Sequence, residues 1–162
     1  TVSVIPNSYM KGWLALQASA GWSYSSGAPT FFCRNTDTNR NGIYDPAVFE
    51  DANGNGVWDT GELRETSPLK PGNVVVASPG LLTTDSSGRA TFALQYGEQY
   101  ALWVNVDLTA KSVVAGTESR TTQSFLLSML ADDATDTKST PANAISPFGT
   151  GFSLTGVAEP CP

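Results

Sequence analysis

The sequence predicts an all-β fold, an antiparallel β-sandwich, from three observations. Apolar residues recur at every second position in short runs, which is the period of half-buried strands. Turn-forming residues separate these runs, and the chain holds 15 Gly and 10 Pro. Val, Thr, Ser and aromatic residues are common, and this composition favours strands over helices. The 162 residues fit one domain over residues 1–162 with a hydrophobic core of its own.

The alternation is clearest over residues 99–110. Tyr100, Leu102, Val104, Val106 and Leu108 share one face there, and Trp103 falls on the opposite one. The run at 121–130 could also form a short helix, but its Thr-Thr start and its strand-like neighbours favour a strand. Turn signals stand at 78–80, 85–88 and 96–99. The predicted strands are 2–5, 13–20, 30–34, 73–78, 89–96, 99–110 and 121–130.

Two regions depart from this strand ladder. Residues 37–65 form a predicted insertion that is rich in Asp, Asn and Gly. Residues 131–162 are rich in Pro, Ser, Thr and Gly, and we expect an extended segment laid over the body, with a disordered tail as the alternative. In the extended form, Phe148, Phe152 and Leu154 would be its anchors and Cys161 its clasp.

Composition and charge narrow the classes of function. The formal charge is −6 and the pI about 4.4, whereas nucleic-acid binders are usually basic, so no nucleic-acid partner is expected. No run of eighteen apolar residues occurs, so we expect no membrane insertion. Histidine is absent, so no ordinary catalytic triad can form, and the chain is predicted not to be an enzyme. No signal peptide is visible, as in a mature, processed or truncated chain.

The two cysteines, Cys33 and Cys161, lie far apart and do not form a CxxC motif. Both could be reduced core residues. A disulfide is favoured because Cys161 stands in a polar, Pro-flanked context where a buried apolar role is difficult. Such a bridge implies an oxidising compartment.

The segment 37–62 repeats a pattern of Asp, Asn, Asn and Gly. Ca²⁺ prefers six to eight oxygen ligands, and a 12-residue EF-hand loop supplies them from positions 1, 3, 5, 7, 9 and 12 with Gly at position 6. Residues 51–62 match every position, with Gly56 at position 6. The alternative is a loop of Asn-Gly turns with solvated acids. The predicted ligands of this copy are Asp51, Asn53, Asn55, the carbonyl of Val57, Asp59 and Glu62.

The first copy of the pattern is incomplete. Position 12 is Val48, which cannot ligate, and Glu50 or water would have to complete the site; otherwise there is no site. One Ca²⁺ is therefore expected in the second copy, and a second ion if the first copy is completed. Without a cation these acids would repel one another, so folding of the segment should depend on the metal. The predicted ligands of this copy are Asp37, Asn39, Asn41, the carbonyl of Ile43, Asp45 and Glu50.

The second half carries a longer pattern, TTDSSGRATFALQYGEQYALWVNVDLTA followed by VVAGTES. It resembles the bacterial Ig-like domains of the invasin/intimin group (the Big-1 type) over roughly residues 72–127. The resemblance implies an Ig-like β-sandwich, export, and a structural or adhesive role without catalysis. Its positions here are Thr83, Thr84, Asp85, Gly88, Ala90, Thr91, Phe92, Val104 to Ala110, and Gly116.

The chain also departs from that family. Such domains normally open with two more strands and an Asp-x-Asn-Gly turn before the segment that TVSVIP resembles, and the calcium insertion and the cysteine pair are not part of their pattern. We therefore expect either a processed fragment or a sheet edge filled by a strand from another chain.

Two functions follow as hypotheses. The first is a calcium-stabilised Ig-like structural or adhesive module of a bacterial cell-surface or secreted protein, such as a fibre or pilus-like subunit completed by a partner strand. Its partners would be a protein, another copy through an open sheet edge, a host receptor or a glycan. The alternative is a calcium-dependent carbohydrate-binding module, in which Trp22 and Tyr24 stack on a sugar from a loop at 22–27. Trp13, Trp58 and Trp103 could extend this platform. The alternative is that the aromatics are core residues, which the strand position of Trp103 favours for that residue.

Overall fold

The computed structural model of the chain describes residues 1–18, 21–25, 30–35, 71, 72 and 74–152, together with residues 156, 158 and 161. Within these residues the regular secondary structure is almost entirely antiparallel strand, which confirms the predicted all-β class; the Ig-like sandwich stays a prediction. A 3-10 turn spans Glu98–Tyr100 and one short helix, α1, spans Ala131–Thr135. The strands are β1 (Val2–Lys11), β2 (Leu14–Gln17), β3 (Gly21–Tyr24), β4 (Phe31–Arg34), β5 (Val75–Ser78), β6 (Ala93–Tyr96), β7 (Val104–Val114) and β8 (Thr117–Leu126).

Four strands form the main sheet in the order β4-β1-β7-β8, and every neighbouring pair is antiparallel. The pairing of β1 with β7 shifts register between Pro6 and Ser8. Proline has no N–H to donate to a ladder, so an irregularity beside it is expected. Two further hairpins, β2–β3 and β5–β6, are paired separately.

The hairpins contribute to two apolar clusters. The first cluster joins Val75 of β5 to Val104 and Val106 of β7 and to Leu127, all of them buried. The second cluster joins Met10, Leu14 and Trp103, with Trp22, Tyr24 and Leu126 packed against it.

The two clusters lie on opposite faces of the main sheet. Val106 of the first cluster pairs with Phe125, and the adjacent pair is Asn105 with Leu126 of the second cluster. Because successive residues of a strand point to opposite faces, Val106 and Leu126 point away from each other.

The predicted strand 99–110 begins only at Val104. Residues 98–100 form the 3-10 turn, and Leu102 has a φ of +65°. The expectation of a strand here was therefore wrong. Leu102 packs against the second cluster, whereas Tyr100 packs against the cluster of Val104 and Val106 as its predicted face required. The physical reason is the indole of Trp103, which is fully buried and needs a partner for its N–H. The turn places that N–H 2.7 Å from the carbonyl oxygen of Asn143.

The predicted segment 121–130 is a strand rather than a helix, but it occupies Thr117–Leu126. It follows a two-residue turn at Ala115 and Gly116, whose φ angles are +50° and +83°. Positive φ at both central residues gives the turn that matches the twist of a hairpin, and Gly116 adopts it without steric cost.

The C-terminal segment, residues 141–152, lies along β1 and the start of β2. The N–H of Leu14 donates to the carbonyl of Ala144 (2.7 Å), and the N–H of Gly12 donates to that of Gly149 (3.0 Å). The hydroxyl of Ser146 donates to the carbonyl of Met10 (2.6 Å). These contacts hold an extended segment on the body, whereas residues 131–135, also expected to be extended, form α1.

Two phenylalanines of this segment pack as the sequence analysis expected. The ring of Phe148 lies 4.7 Å from that of Tyr9, and the ring of Phe152 lies 5.4 Å from that of Phe31, between centroids. Leu154, the third predicted anchor, lies outside the described residues.

The first prediction concerns Gly151. Both Gly149 and Gly151 have positive φ, but a Cβ at Gly151 would lie 2.1 Å from the ring of Phe31, whereas a Cβ at Gly149 meets nothing within 4 Å. Gly149→Ala should cost about 1–2 kcal/mol of unfolding free energy from backbone strain alone. Gly151→Ala should cost about 1–3 kcal/mol more, because the ring must move. Chemical denaturation of both variants checks this, and equal losses would mean that the segment does not dock on Phe31.

Candidate functional site

The predicted insertion at residues 37–65, called the acidic segment below, lies between β4 and β5 in the sequence. The twelve predicted calcium ligands all fall within it. All twelve lie outside the described residues, so the metal assignment stays a prediction. They are Asp37, Asn39, Asn41, Ile43, Asp45, Glu50, Asp51, Asn53, Asn55, Val57, Asp59 and Glu62. Among the residues that the structure does describe, no three His, Cys, Asp or Glu side chains are grouped to hold a metal ion.

The stem from which this segment leaves the sheet is described, and it is firmly held. Asn35 follows β4 directly and is buried. Its backbone N–H donates to the carbonyl of Asn7 (3.1 Å), and its side-chain Nδ2 donates to the carbonyl of Pro6 (2.7 Å). Asn35 thus occupies backbone acceptors beside the register shift of β1. At the other end of the segment, Pro71 is also buried.

A disulfide joins Cys33 to Cys161, as predicted. The Cα atoms are 5.4 Å apart, and the bridge spans 128 residues of sequence. Cys33 lies in β4 and is buried, two residues before the acidic stem, whereas Cys161 is exposed. The bridge therefore ties the C-terminal region to the same strand that leads into the acidic segment.

The disulfide also bears on the compartment. Disulfides persist in oxidising environments and are rare in the reducing cytosol. In the described part of the chain, no helix is long and apolar enough to cross a membrane.

Trp22 and Tyr24, the predicted sugar-stacking pair, lie in β3 and pair with β2, so the prediction of a loop here was wrong. The indole Nε1 of Trp22 donates to the carbonyl of Asp136 (2.8 Å), and the hydroxyl of Tyr24 donates to that of Leu102. The ring of Tyr24 packs edge-on against Trp103, with 5.5 Å between centroids.

These contacts turn the polar ends of both side chains into the body. Burial raises the pKa of Tyr24 from 10.0 to about 12, because the phenolate would lose its hydration there. The short strand β3 was missed because its four residues give little periodicity, and the Ser- and Gly-containing residues 25–27 that follow it favour a loop. Both aromatics thus have a packing role that needs no ligand.

The turn of the motif TTDSSG forms as the sequence suggested. The Oδ1 of Asp85 accepts hydrogen bonds from the N–H of Ser87 (2.9 Å), from its hydroxyl (2.7 Å) and from the N–H of Arg89 (2.9 Å). These bonds favour the carboxylate and lower the pKa of Asp85. The turn lies in the connection between β5 and β6, some residues away from their pairing.

The sequence analysis did not anticipate an exposed arm, which consists of the outer part of the β7–β8 hairpin. All residues from Lys111 to Ser124 are exposed. An open groove of about 660 Å³ runs between this arm and residues 81–84. Leu81 and Val114 line it and are 76% and 72% exposed. The polar run TESRTTQS was a signal for such exposure, although it could not indicate which sheet edge the strand would occupy.

Comparison with known proteins adds no relative. No family model, no curated protein and no solved structure matches the chain. The resemblance to Big-1 domains therefore stays a prediction, carried by the motif residues alone.

The second prediction concerns the disulfide. The double variant Cys33→Ser/Cys161→Ser should lose about 2–5 kcal/mol of unfolding free energy, because the bridge restricts a long loop in the unfolded chain. Urea denaturation of the variant, compared with the oxidised and the fully reduced parent chain, measures this. The reduced parent should match the variant; a variant as stable as the oxidised parent would contradict the bracing role.

The third prediction concerns Tyr24. Since its pKa is raised on folding from 10.0 to about 12, its contribution to stability is fully present below pH 10 and is lost as pH rises towards 12. The difference in unfolding free energy between the parent chain and Tyr24→Phe should shrink over this range. Phenolate absorbance should show one tyrosine titrating near pH 12 in the parent and not in the variant. A pH-independent difference would argue against a buried phenol.

Proposed function

We propose that the chain is a calcium-stabilised structural or adhesive module of a bacterial cell-surface or secreted protein. The observation that carries this proposal is the doubly fixed stem of the acidic segment. Asn35 is held on β1 by two hydrogen bonds, and the Cys33–Cys161 disulfide secures the strand just before it. A loop with such an anchored entrance is suited to hold ions that brace an exposed fold.

The ligand pattern supports calcium as the ion. The second copy provides side-chain oxygens from Asp51, Asn53, Asn55, Asp59 and Glu62 in the order that Ca²⁺ loops require. When bound, Ca²⁺ would supply positive charge that offsets the repulsion among these acids. Extracellular calcium modules work with dissociation constants of about 10⁻⁴–10⁻³ M, which fits a compartment outside the cytosol.

The architecture supports a structural role. The C-terminal segment and the disulfide secure one side of the main sheet, while β8 forms an exposed edge on the other side. Exposed strand edges are templates for pairing with another chain. In the proposed function, this edge is where the module associates with a protein partner in a fibre or at a surface. The resemblance to Big-1 domains points to the same class.

The proposed module is not an enzyme. The whole chain lacks histidine, and its densest group of carboxylates falls within the predicted calcium loops, where ligation accounts for them. The carbohydrate-binding alternative has less support, because the polar atoms of Trp22 and Tyr24 bond inside the body.

The fourth prediction tests the metal. Ca²⁺ at about 10 mM should raise the unfolding free energy by about 1–3 kcal/mol, because this concentration is 10- to 100-fold above a dissociation constant of about 10⁻⁴–10⁻³ M. Asp51→Asn should abolish most of this gain. Asp132→Asn, which removes an exposed acid in the first turn of α1, should retain it. Thermal and chemical melts with Ca²⁺ or EDTA provide the measurement.

Three outcomes are informative here. A midpoint that EDTA leaves unchanged would rule out the calcium brace. Loss of the gain in both variants would indicate a general charge effect, whereas loss in Asp51→Asn alone would support a specific site. Mg²⁺ at equal concentration controls for ionic strength.

A further inference from the structure

The outer edge of the main sheet is long and regular. β8 pairs with β7 through ten consecutive residue pairs, from Asn105↔Leu126 to Val114↔Thr117, without a register shift. β8 contains no proline. Proteins usually interrupt edge strands with bulges, prolines or covering segments. The opposite edge, β4, has only four residues and carries the disulfide. The two edges of the sheet thus differ sharply.

The pairing with β7 fixes which backbone groups of β8 point outward. The N–H of Leu127 donates to the carbonyl of Val104. In an antiparallel pair every second residue bonds to the facing strand, and the register is unbroken from here to the two-residue turn at 115–116. The odd-numbered residues of β8 therefore bond to β7. The N–H and C=O groups of the residues between them face outward. These residues are Glu118, Arg120, Thr122 and Ser124.

Within one chain, one basic side chain on this edge has no acidic partner among the described residues. Lys111 and Arg120 are direct cross-strand partners, which places two positive side chains opposite each other. Glu118 lies 3.7 Å from Lys111, between carboxylate oxygen and Nζ. Arg120 makes no ion pair with any residue that the structure describes. The edge thus carries the guanidinium of Arg120, which the described residues leave unpaired, and, two residues before it in the strand, the carboxylate of Glu118.

We propose that β8 pairs with β8 of a second copy, antiparallel, about a twofold axis at Ser119. Glu118 then lies opposite Arg120 of the partner subunit, and Arg120 lies opposite Glu118 of the partner subunit. Because both residues present outward backbone groups, each of these pairs also exchanges N–H···O=C bonds. The proposal rests on the proposed association through this edge and names its occupant as a second copy.

Charge selects this register among those that the backbone allows. Moving the axis to position 120 would place two Arg120 side chains directly opposite each other, which is destabilising. Moving it to position 121 would pair Arg120 with Thr122 and Glu118 with Ser124, leaving no ion pair. The axis at Ser119 gives two ion pairs by symmetry, as expected for an isologous interface.

The shape of the hairpin allows the approach. Residues 111–124 are all exposed, and the buried part of β8 begins only near Phe125. With the axis at Ser119, Thr117 of each copy lies opposite Thr121 of the partner subunit, and the turn at 115–116 ends beside Thr122 of the partner subunit. The two arms then overlap over residues 117–121, within their exposed stretch, and the packed bodies stay at opposite ends.

Engineered cysteines read the register directly. At the axis, the two Ser119 residues form a non-hydrogen-bonded pair with Cα atoms about 4.5 Å apart, which a disulfide can bridge. Under mild oxidation, S119C should form crosslinked dimers about tenfold faster than T121C. Two residues at position 121 would face each other only if the twofold axis lay at that position, which is a different register. Non-reducing electrophoresis measures the rate. Equal or faster crosslinking of T121C, or slow crosslinking of both, would overturn the proposal.

Charge reversal tests the ion pairs. E118R and R120E should each weaken self-association about tenfold, because both symmetric pairs become repulsive. The double variant E118R/R120E should restore it, and an equimolar mixture of the two single variants should form the heterodimer. Sedimentation over a wide concentration range provides the measurement, with unchanged melting as the control for folding. Single variants that associate like the parent chain would overturn the pairing.

These results are separable from the calcium brace. If the crosslink fails while Ca²⁺ still stabilises the chain and D51N abolishes that gain, the copy-to-copy edge is wrong and the calcium-stabilised module stands. If the crosslink forms without any effect of Ca²⁺, the pairing stands without the metal.

Discussion

The two hydrogen bonds that tie Asn143 to residues 101–103 are the constraint on which the rest of the structure depends. The buried indole N–H donates to the carbonyl of Asn143, and the amide of Asn143 donates to the carbonyl of Ala101. A large aromatic residue in an apolar core cannot leave its N–H without a partner, because the desolvation cost is then uncompensated. In this chain the partner comes from 40 residues further along. The C-terminal segment is therefore part of the core and not an accessory to it.

This dependence extends to the acidic stem. Once Asn143 is in place, Ser146 and Gly149 continue the segment along β1, and Phe152 reaches the ring of Phe31 in β4. The disulfide then fixes Cys161 to Cys33 of the same strand. A path of contacts thus runs from the centre of the core to β4, the strand that leads into the acidic segment. Loosening of the C-terminal segment would loosen the stem as well.

The sequence indicated the strands where alternation was regular, as in Val104 to Val106 and Leu94 to Tyr96. It misplaced Leu102 and the start of β7, because the burial of Trp103 with a partner for its N–H overrides the local pattern. A period of two carries no information about such a partner. The sequence also indicated a loop at Trp22 and Tyr24, since β3 is too short to show a period. Spacing alone carries the prediction of the calcium ligands, whereas the polar, Pro-flanked context of Cys161 predicted the disulfide that the structure shows. Which strand would lie at the sheet edge depends on how distant strands pair, and local patterns do not contain that information.

An anchored stem changes the energetics of the predicted metal site. Closing a flexible loop costs conformational entropy, and much of that cost falls on bringing its ends together. Here Asn35 is held on β1 at one end and Pro71 is buried at the other, so the folded body already restrains both ends. Under the proposed function, a bound ion would have to order only the ligands and offset their mutual repulsion. The same anchoring would let the ion stabilise the sheet to which the stem belongs. In the proposed module, calcium would therefore brace β4 at one edge of the main sheet, and β8 would pair with a partner at the opposite edge.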